Sequence, residues 1–213
     1  MRTCLLLAGL LALTVARATA AENPVVLIKT EKGDITVEVD LARAPVTATN
    51  FLRYVDGKLY DGSVYHRTVT LDNQPNNAVR IEVIQGGQLS EDKGFPPIAH
   101  ETTATTGLKH LDGTISMARG TPGSATSSFF FCIGPQPELD FGGKRNPDGQ
   151  GFAAFGRVVK GMDVVKAIHV LPAEGQSLKP PVKIISVRRL DRSTHSAPQS
   201  ESTIKEKSHA KAL

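Results

Sequence analysis

The sequence predicts one mainly β domain, a barrel or sandwich whose ends are covered by helices. Three observations predict it: many short stretches in which apolar residues alternate with polar ones, only two amphipathic helical stretches, and Gly-rich turns between them. A chain of 213 residues is long enough for one such domain with a sizeable core and short appendages.

Val25 to Glu31 and Asp34 to Asp40 read as the first two strands. In the second, Ile35, Val37 and Val39 alternate with Thr36, Glu38 and Asp40, the period of a strand with one buried face. Lys32-Gly33 between them is a hairpin turn in which Gly33 supplies a positive φ. Pro45 then opens a helix that carries Val46, Phe51, Leu52 and Val55 largely on one face and closes at Gly57. Strands are predicted over Ser63–Thr68 and Arg80–Gln85, with turn chemistry from Leu71 to Asn77 between them and a Gly86-Gly87 break after them. Gly113–Ala118 and Ser128–Ile133 are two more strands, followed by a loop from Asp140 to Gly151. Phe152–Val159 resumes strand character, Met162–Val170 is a short amphipathic helix, and Val182–Leu190 is the last strand.

The two ends of the chain differ from this middle. Arg2, the apolar run Leu5 to Val15 and the small residues Ala18-Thr19-Ala20 read over residues 1–20 as a secretory signal peptide cleaved after Ala20 or Ala21. The run is shorter than the ~20 apolar residues a membrane span needs, so no stable membrane insertion is expected after cleavage. Export follows as an expectation, with a Gram-negative periplasm as the compartment. From Asp191 the chain is rich in Ser, Lys and His, and residues 191–213 are predicted to be a disordered polar tail. The folded domain is expected over residues 24–190. The formal charge is +4, and removing Arg2 and Arg17 lowers it by about two. With no mid-chain cluster of Lys and Arg, a nucleic-acid partner is not expected. Loss of Cys4 with the signal leaves Cys132 alone, so no internal disulfide forms and Cys132 reads as a small buried hydrophobe.

Several segments together resemble the cyclophilin family. They are Gly33-Asp34-Ile35-Thr36-Val37-Glu38, Ala44-Pro45-Val46-Thr47-Ala48-Thr49-Asn50-Phe51, Tyr60-Asp61-Gly62-Ser63-Val64-Tyr65-His66-Arg67 and Ile84-Gln85-Gly86-Gly87. Gly113-Thr114-Ile115-Ser116-Met117-Ala118, Ser127-Ser128-Phe129-Phe130-Phe131 and Phe155-Gly156-Arg157-Val158 follow in the family's order. The resemblance implies a closed eight-stranded antiparallel barrel capped by two α-helices, with proline-containing polypeptides bound in an outer groove. It implies a peptidyl-prolyl cis-trans isomerase that speeds folding of exported proteins as a monomer. The alternative it leaves open is a non-catalytic cyclophilin-like peptide-binding or chaperone domain.

Isomerisation needs no cofactor, metal or nucleophile, because no bond is broken. It needs the twisted amide to be favoured over both planar ends. In the twisted state the prolyl nitrogen regains a lone pair, and a guanidinium that stays charged and presents a rigid fork of donors suits it. Arg67 matches the family position of that donor, and Gln85 the residue that bonds the substrate backbone. Phe130, Leu139 and Phe152 match the proline pocket and its rim, and Ala118 a groove position. The two pocket positions before the Gln align with Glu82 and Val83, and a carboxylate there would be costly unless paired or turned to solvent. Further departures are Ser128 where Gln is usual, Arg119 for Asn and Glu138 for the rim aromatic.

Other chemistries find no support in the spacing. His100-Glu101 lacks a second His one helical turn on, Gly142-Gly143-Lys144 is followed by Arg145 rather than Ser or Thr, and Ser124, Ser127 and Ser128 sit in no nucleophile elbow. His66, His100 and His110 show no ligand spacing. All are read as loop and surface residues.

Overall fold

The computed structural model describes residues 22–87 and 93–190. The proposed signal segment and the polar tail lie outside them. Nine strands and three helices follow in chain order: β1 (Val25–Thr30), β2 (Gly33–Val39), α1 (Pro45–Asp56), β3 (Val64–Val69), β4 (Val83–Gly86), α2 (Thr103–Thr106), β5 (Thr114–Met117), β6 (Phe129–Cys132), β7 (Ala153–Lys160), α3 (Met162–His169), β8 (Ala173–Glu174) and β9 (Ser177–Leu190).

The strands lie in the order β1-β2-β7-β5-β6-β4-β3-β9, and β9 pairs back onto β1, so eight strands close a barrel with every pair antiparallel. The short β8 pairs only with β9. Closure removes the unpaired edges that an open sheet would present. Gly33 turns β1 into β2 at φ +134°, and a Cβ there would lie 2.8 Å from Val164 of α3. Glycine is needed both for the turn and for the close approach of the helix.

Helix α1 starts at Pro45, as expected, but no side chain caps it from its own N-terminus. Instead Glu101, 55 residues on, accepts from the free N–H groups of Val46 and Thr47 at 3.1 and 2.6 Å. Gly57 ends the helix in a right-handed conformation, and the positive φ falls on Lys58. Helix α3 lies against the β1–β2 turn and the end of β3, where His169 Nε2 meets the Val69 carbonyl at 2.9 Å. The third helix, α2, is a single turn that the apolar periodicity does not reveal.

Alternation along β6 divides the apolar residues into two bodies. Phe129 and Phe131 point into the barrel, while Phe130 and Cys132 point out and join Val69, Ile81, Val83 and Leu139 in a separate cluster. Inside, the Phe129 ring meets Phe51, Tyr60, Tyr65 and Phe131 edge-on, with centroids 5.4 to 6.0 Å apart. Cys132 is fully buried, and burial raises its thiol pKa, which keeps it protonated and unreactive.

Two predicted strands have different bounds. Arg80–Gln85 becomes Val83–Gly86: Arg80 is exposed, and the Ile81 N–H donates to the Gln74 side chain rather than to a neighbouring strand. The last strand begins at Ser177, not Val182; Pro180-Pro181 hid its first half, since proline argues against a strand interior. Replacing Phe129 by Ala leaves four aromatic rings facing a void. The expected cost is about 3–5 kcal/mol in urea-induced unfolding; a loss below ~1 kcal/mol would show that the ring cluster does not organise the core.

Candidate active site

Arg67 reaches the outer face of the barrel because β3 carries a bulge. Tyr65 pairs with Gly86 and Arg67 with Gln85, so His66 is an extra residue between them. Strict alternation would turn Arg67 inward beside Tyr65; the bulge instead sets it next to Gln85, facing out. Against β9 the same step is larger. Tyr65 faces Val182 and Arg67 faces Ser177, and Pro180-Pro181 falls in the gap where no ladder bond is required.

Two glutamines hold the guanidinium. Arg67 Nη1 donates to Gln85 Oε1 at 2.8 Å, Nε donates to Gln176 Oε1 at 2.9 Å, and Nη2 donates to the same Gln176 oxygen. Gln85 is held in turn by Ser128 Oγ, which accepts from its Nε2 at 3.0 Å, so Ser128 supplies the support at the position where a Gln was expected. Gln176 lies in the β8–β9 turn and donates to the Asn73 carbonyl at 3.2 Å, tying the Leu71–Asn77 loop to the site. Among the described residues no carboxylate pairs with Arg67. Burial, then the charge of Arg145, lower its pKa, yet a guanidinium stays protonated at any working pH. Burial and the Arg67 charge also lower the His66 pKa, so its imidazole is neutral at pH 7 and adds no further positive charge.

A cavity of about 260 Å³ opens beside this guanidinium. Its apolar floor is Ile81, Val83, Phe130, Leu139 and Phe152, with the Phe130 and Phe152 rings edge-on at 5.3 Å. Gln85 and Ala118 complete the side nearest Arg67. All seven residues singled out from the sequence (Arg67, Gln85, Phe130, Leu139, Phe152, Ala118 and Val83) line this one cavity. Glu82 does not. Alternation puts Ile81 and Val83 on the cavity face, while the Glu82 carbonyl accepts from Ile133 at 3.0 Å. The carboxylate expected from the resemblance is therefore replaced by Ile81, which the alternation Ile81, Val83, Gln85 could have identified.

Three further lining residues were not predicted for the site: Arg119, Arg145 and Asn146. Arg119 forms two bonds with Asp148 at 2.8 and 2.9 Å, and its Nε donates to the Gly151 carbonyl at 2.8 Å. Its guanidinium lies 5.3 Å from the Phe152 ring centre, and it holds the Asp148 carboxyl down to about 2. Arg119 thereby fastens the Asp140–Gly151 loop behind the cavity. Arg145 was read as a surface residue, but its Nη1 donates to Gln74 Oε1 at 2.9 Å and to the Val79 carbonyl at 2.6 Å.

His110 was also expected at the surface and is instead 1% exposed. Its Nδ1 lies 2.8 Å from Asp140 Oδ1 and its Nε2 2.9 Å from Ser116 Oγ, a Ser-His-Asp sequence of contacts. Ser116 is fully buried and the His110 ring stacks on Phe130, so no substrate can reach that hydroxyl. The trio braces Phe130 from behind.

A family model described as "Cyclophilin type peptidyl-prolyl cis-trans isomerase/CLD" matches residues 25–189. The peptidyl-prolyl cis-trans isomerase of Acinetobacter baylyi is 37% identical over 197 residues, covering 88% of this chain and 94% of that protein. Peptidyl-prolyl cis-trans isomerase A of Dickeya dadantii is 38% identical over 154 residues, covering 70% of this chain and 73% of that protein. The crystal structure of a cyclophilin type isomerase from Cryptosporidium parvum superposes with a TM-score of 0.64 at 21% identity, covering 83% of this chain and 99% of that one.

Gln176 is a positioning residue for the Arg67 guanidinium, and its removal is expected to free Nε–H. In Gln176→Ala the solvent exchange of the Arg67 Nε proton, followed by NMR, should rise by roughly 10- to 100-fold, the weight of one hydrogen bond to a charged group. Backbone amides of β3 and β4 should keep their protection. An unchanged Nε exchange rate would remove Gln176 from the site.

Proposed function

The chain belongs to the cyclophilin-type peptidyl-prolyl cis-trans isomerase family, and from that premise we propose that Arg67 drives the reaction in the cavity it shares with Phe130 and Leu139. The activity is cis-trans isomerisation of X-Pro peptide bonds. Amide resonance sets a barrier of ~18–20 kcal/mol, which leaves the uncatalysed step at tens of seconds or longer.

A proline ring entering the cavity lays its three methylenes against Ile81, Val83, Phe130 and Leu139, a burial worth about 2 kcal/mol. That grip is the same for cis, trans and twisted forms, so by itself it lowers KM and not the barrier. The difference comes from Arg67. As the amide twists, resonance is lost and the prolyl nitrogen becomes pyramidal with a lone pair, to which a guanidinium N–H donates. A charge-assisted hydrogen bond made only in the twisted state is worth roughly 1.5–3 kcal/mol, one to two decades in rate. Gln85 supplies an amide to hold the substrate backbone while the prolyl side turns. The cavity wall excludes water from the amide, which strengthens the bond from Arg67. The observation that carries this reading is the Arg67 guanidinium, held by two neutral glutamines with no carboxylate among the described residues to claim it, at the mouth of an apolar cavity.

A non-catalytic peptide-binding role drew its support from Glu82 and Val83 at the two pocket positions. Glu82 does not line the cavity, and Val83 lines it as one apolar wall beside Ile81 and Phe130, which leaves the guanidinium of Arg67 free to act. The proposal extends to clients and place: proline-containing polypeptides among exported proteins, in a Gram-negative periplasm, handled by a monomer. The basic start, apolar run and Ala-Thr-Ala of residues 1–20 support export.

In a protease-coupled assay on a proline peptide, Arg67→Ala should lower kcat/KM by about 10- to 100-fold or more. Wild-type activity should be flat between about pH 7 and 9, because Arg67 does not titrate there despite its lowered pKa. An Arg67→Ala protein as active as wild type, or a rate that follows a group titrating near neutrality, would contradict the mechanism.

A further inference from the structure

Three arginines line the cavity: Arg67 serves the isomerisation, Arg119 is paired with Asp148, and Arg145 does neither. Arg145 stands on its wall within electrostatic reach of Arg67, whose pKa its charge lowers. Only one of its nitrogens is engaged. Nη1 donates to Gln74 Oε1 and to the Val79 carbonyl, both neutral, and among the described residues Nε and Nη2 have no hydrogen-bond partner. Its anchors are firm: Gln74 is 1% exposed and also donates to the Thr70 and Ile81 carbonyls at 2.7 and 2.8 Å. Among the described residues neither nearby acid forms an ion pair with Arg145. Glu138 Oε2 accepts from the Lys144 backbone at 2.8 Å, and Asp148 is paired with Arg119. Beside Arg145, the Asn146 Nδ2 is buried on the same cavity with no acceptor in reach.

Two like charges held together without a counter-ion, next to an unsatisfied amide donor, form an incomplete arrangement. A carboxylate would complete it, since a planar fork of donors matches its two oxygens. We propose that Arg145, with Asn146, selects substrates in which an acidic residue adjoins the proline, and is a specificity-determining residue of the isomerase. This rests on the isomerase reading of the cavity and adds to it a preference among X-Pro segments. Substrates with a basic neighbour are disfavoured by the same pair of charges.

The test uses the purified protein and peptides that differ only next to proline, with Glu, Gln or Lys placed before it in one series and after it in another. For wild type at low salt, kcat/KM in at least one series should be roughly tenfold higher for Glu than for Gln, and lower again for Lys. The Glu preference should shrink with added salt. In Arg145→Gln the Glu-to-Gln ratio should fall to near one, whereas Arg145→Lys should retain part of it. Because the readout is a ratio within one protein, a general loss of turnover does not imitate it, and should Arg145→Gln fail to fold, the Lys variant and the salt series still decide. Equal rates for Glu and Gln peptides in wild type, or a preference that survives in Arg145→Gln, would overturn the proposal. Absence of turnover on every peptide would instead count against the isomerase reading, and calorimetric affinities for the Glu and Gln peptides would then decide the selection claim on their own.

Discussion

A strand has two faces, and in this barrel both are spoken for: one row of side chains must fill the interior and the other must build the site. Along β6 that division is strict, with Phe129 and Phe131 in the core and Phe130 in the cavity. On β4 it places Ile84 inside and Val83 and Gln85 outside. On β3 the rhythm has to break, because Tyr65 is needed inside and Arg67 outside on positions of equal parity. The extra residue at His66 resolves the conflict, and the irregular start of β9 accommodates it. Position of the guanidinium is thus a property of the sheet, fixed by closure of the barrel.

What surrounds the guanidinium determines how it can act. A carboxylate partner would neutralise Arg67 and compete with any acceptor on the substrate; a glutamine oxygen orients the fork while leaving its charge intact. Gln85 does this from β4 and Gln176 from the β8–β9 turn on the other side of β3, and each is held by a further contact, Ser128 for one and the Asn73 carbonyl for the other. Behind the floor, His110, Asp140 and Ser116 form a buried chain of polar contacts that backs Phe130. Rigid support of this kind keeps the ring and the donor in register, as a reaction dependent on differential binding requires.

Much of this was legible from local pattern. The β1–β2 hairpin follows from Ile35, Val37 and Val39 with Gly33 at the turn, and helix α1 from Pro45 and its apolar face. Arg67, Gln85 and Phe130 stood out through the order of motifs that resemble the family. The site's other parts depend on contacts between distant segments that carry no periodic signal. Gln176 lies 109 residues from Arg67 in a two-residue turn, and Pro180-Pro181 disguised the strand that delivers it. Arg145 sits in an irregular loop and meets Gln74 from another, so neither spacing nor alternation marked it as part of a cavity. Ile81 is different: position-by-position matching to the family marks Glu82, whereas Ile81, just before β4, shares the cavity with Val83 and Gln85, two and four positions on. Spacing by two, the period of an extended chain, is the signal that finds it.

The claim beneath all of this is that Arg67 stabilises the twisted amide and contributes little to holding the planar ones. Exchange spectroscopy on a proline peptide saturated with protein measures this directly, because it reports interconversion on the enzyme separately from affinity. The account predicts that Arg67→Ala slows bound-state exchange by at least tenfold while the peptide's dissociation constant changes by no more than a few-fold. If the substitution instead abolishes binding and leaves the exchange rate of whatever still binds unchanged, Arg67 is a binding residue and the account is wrong.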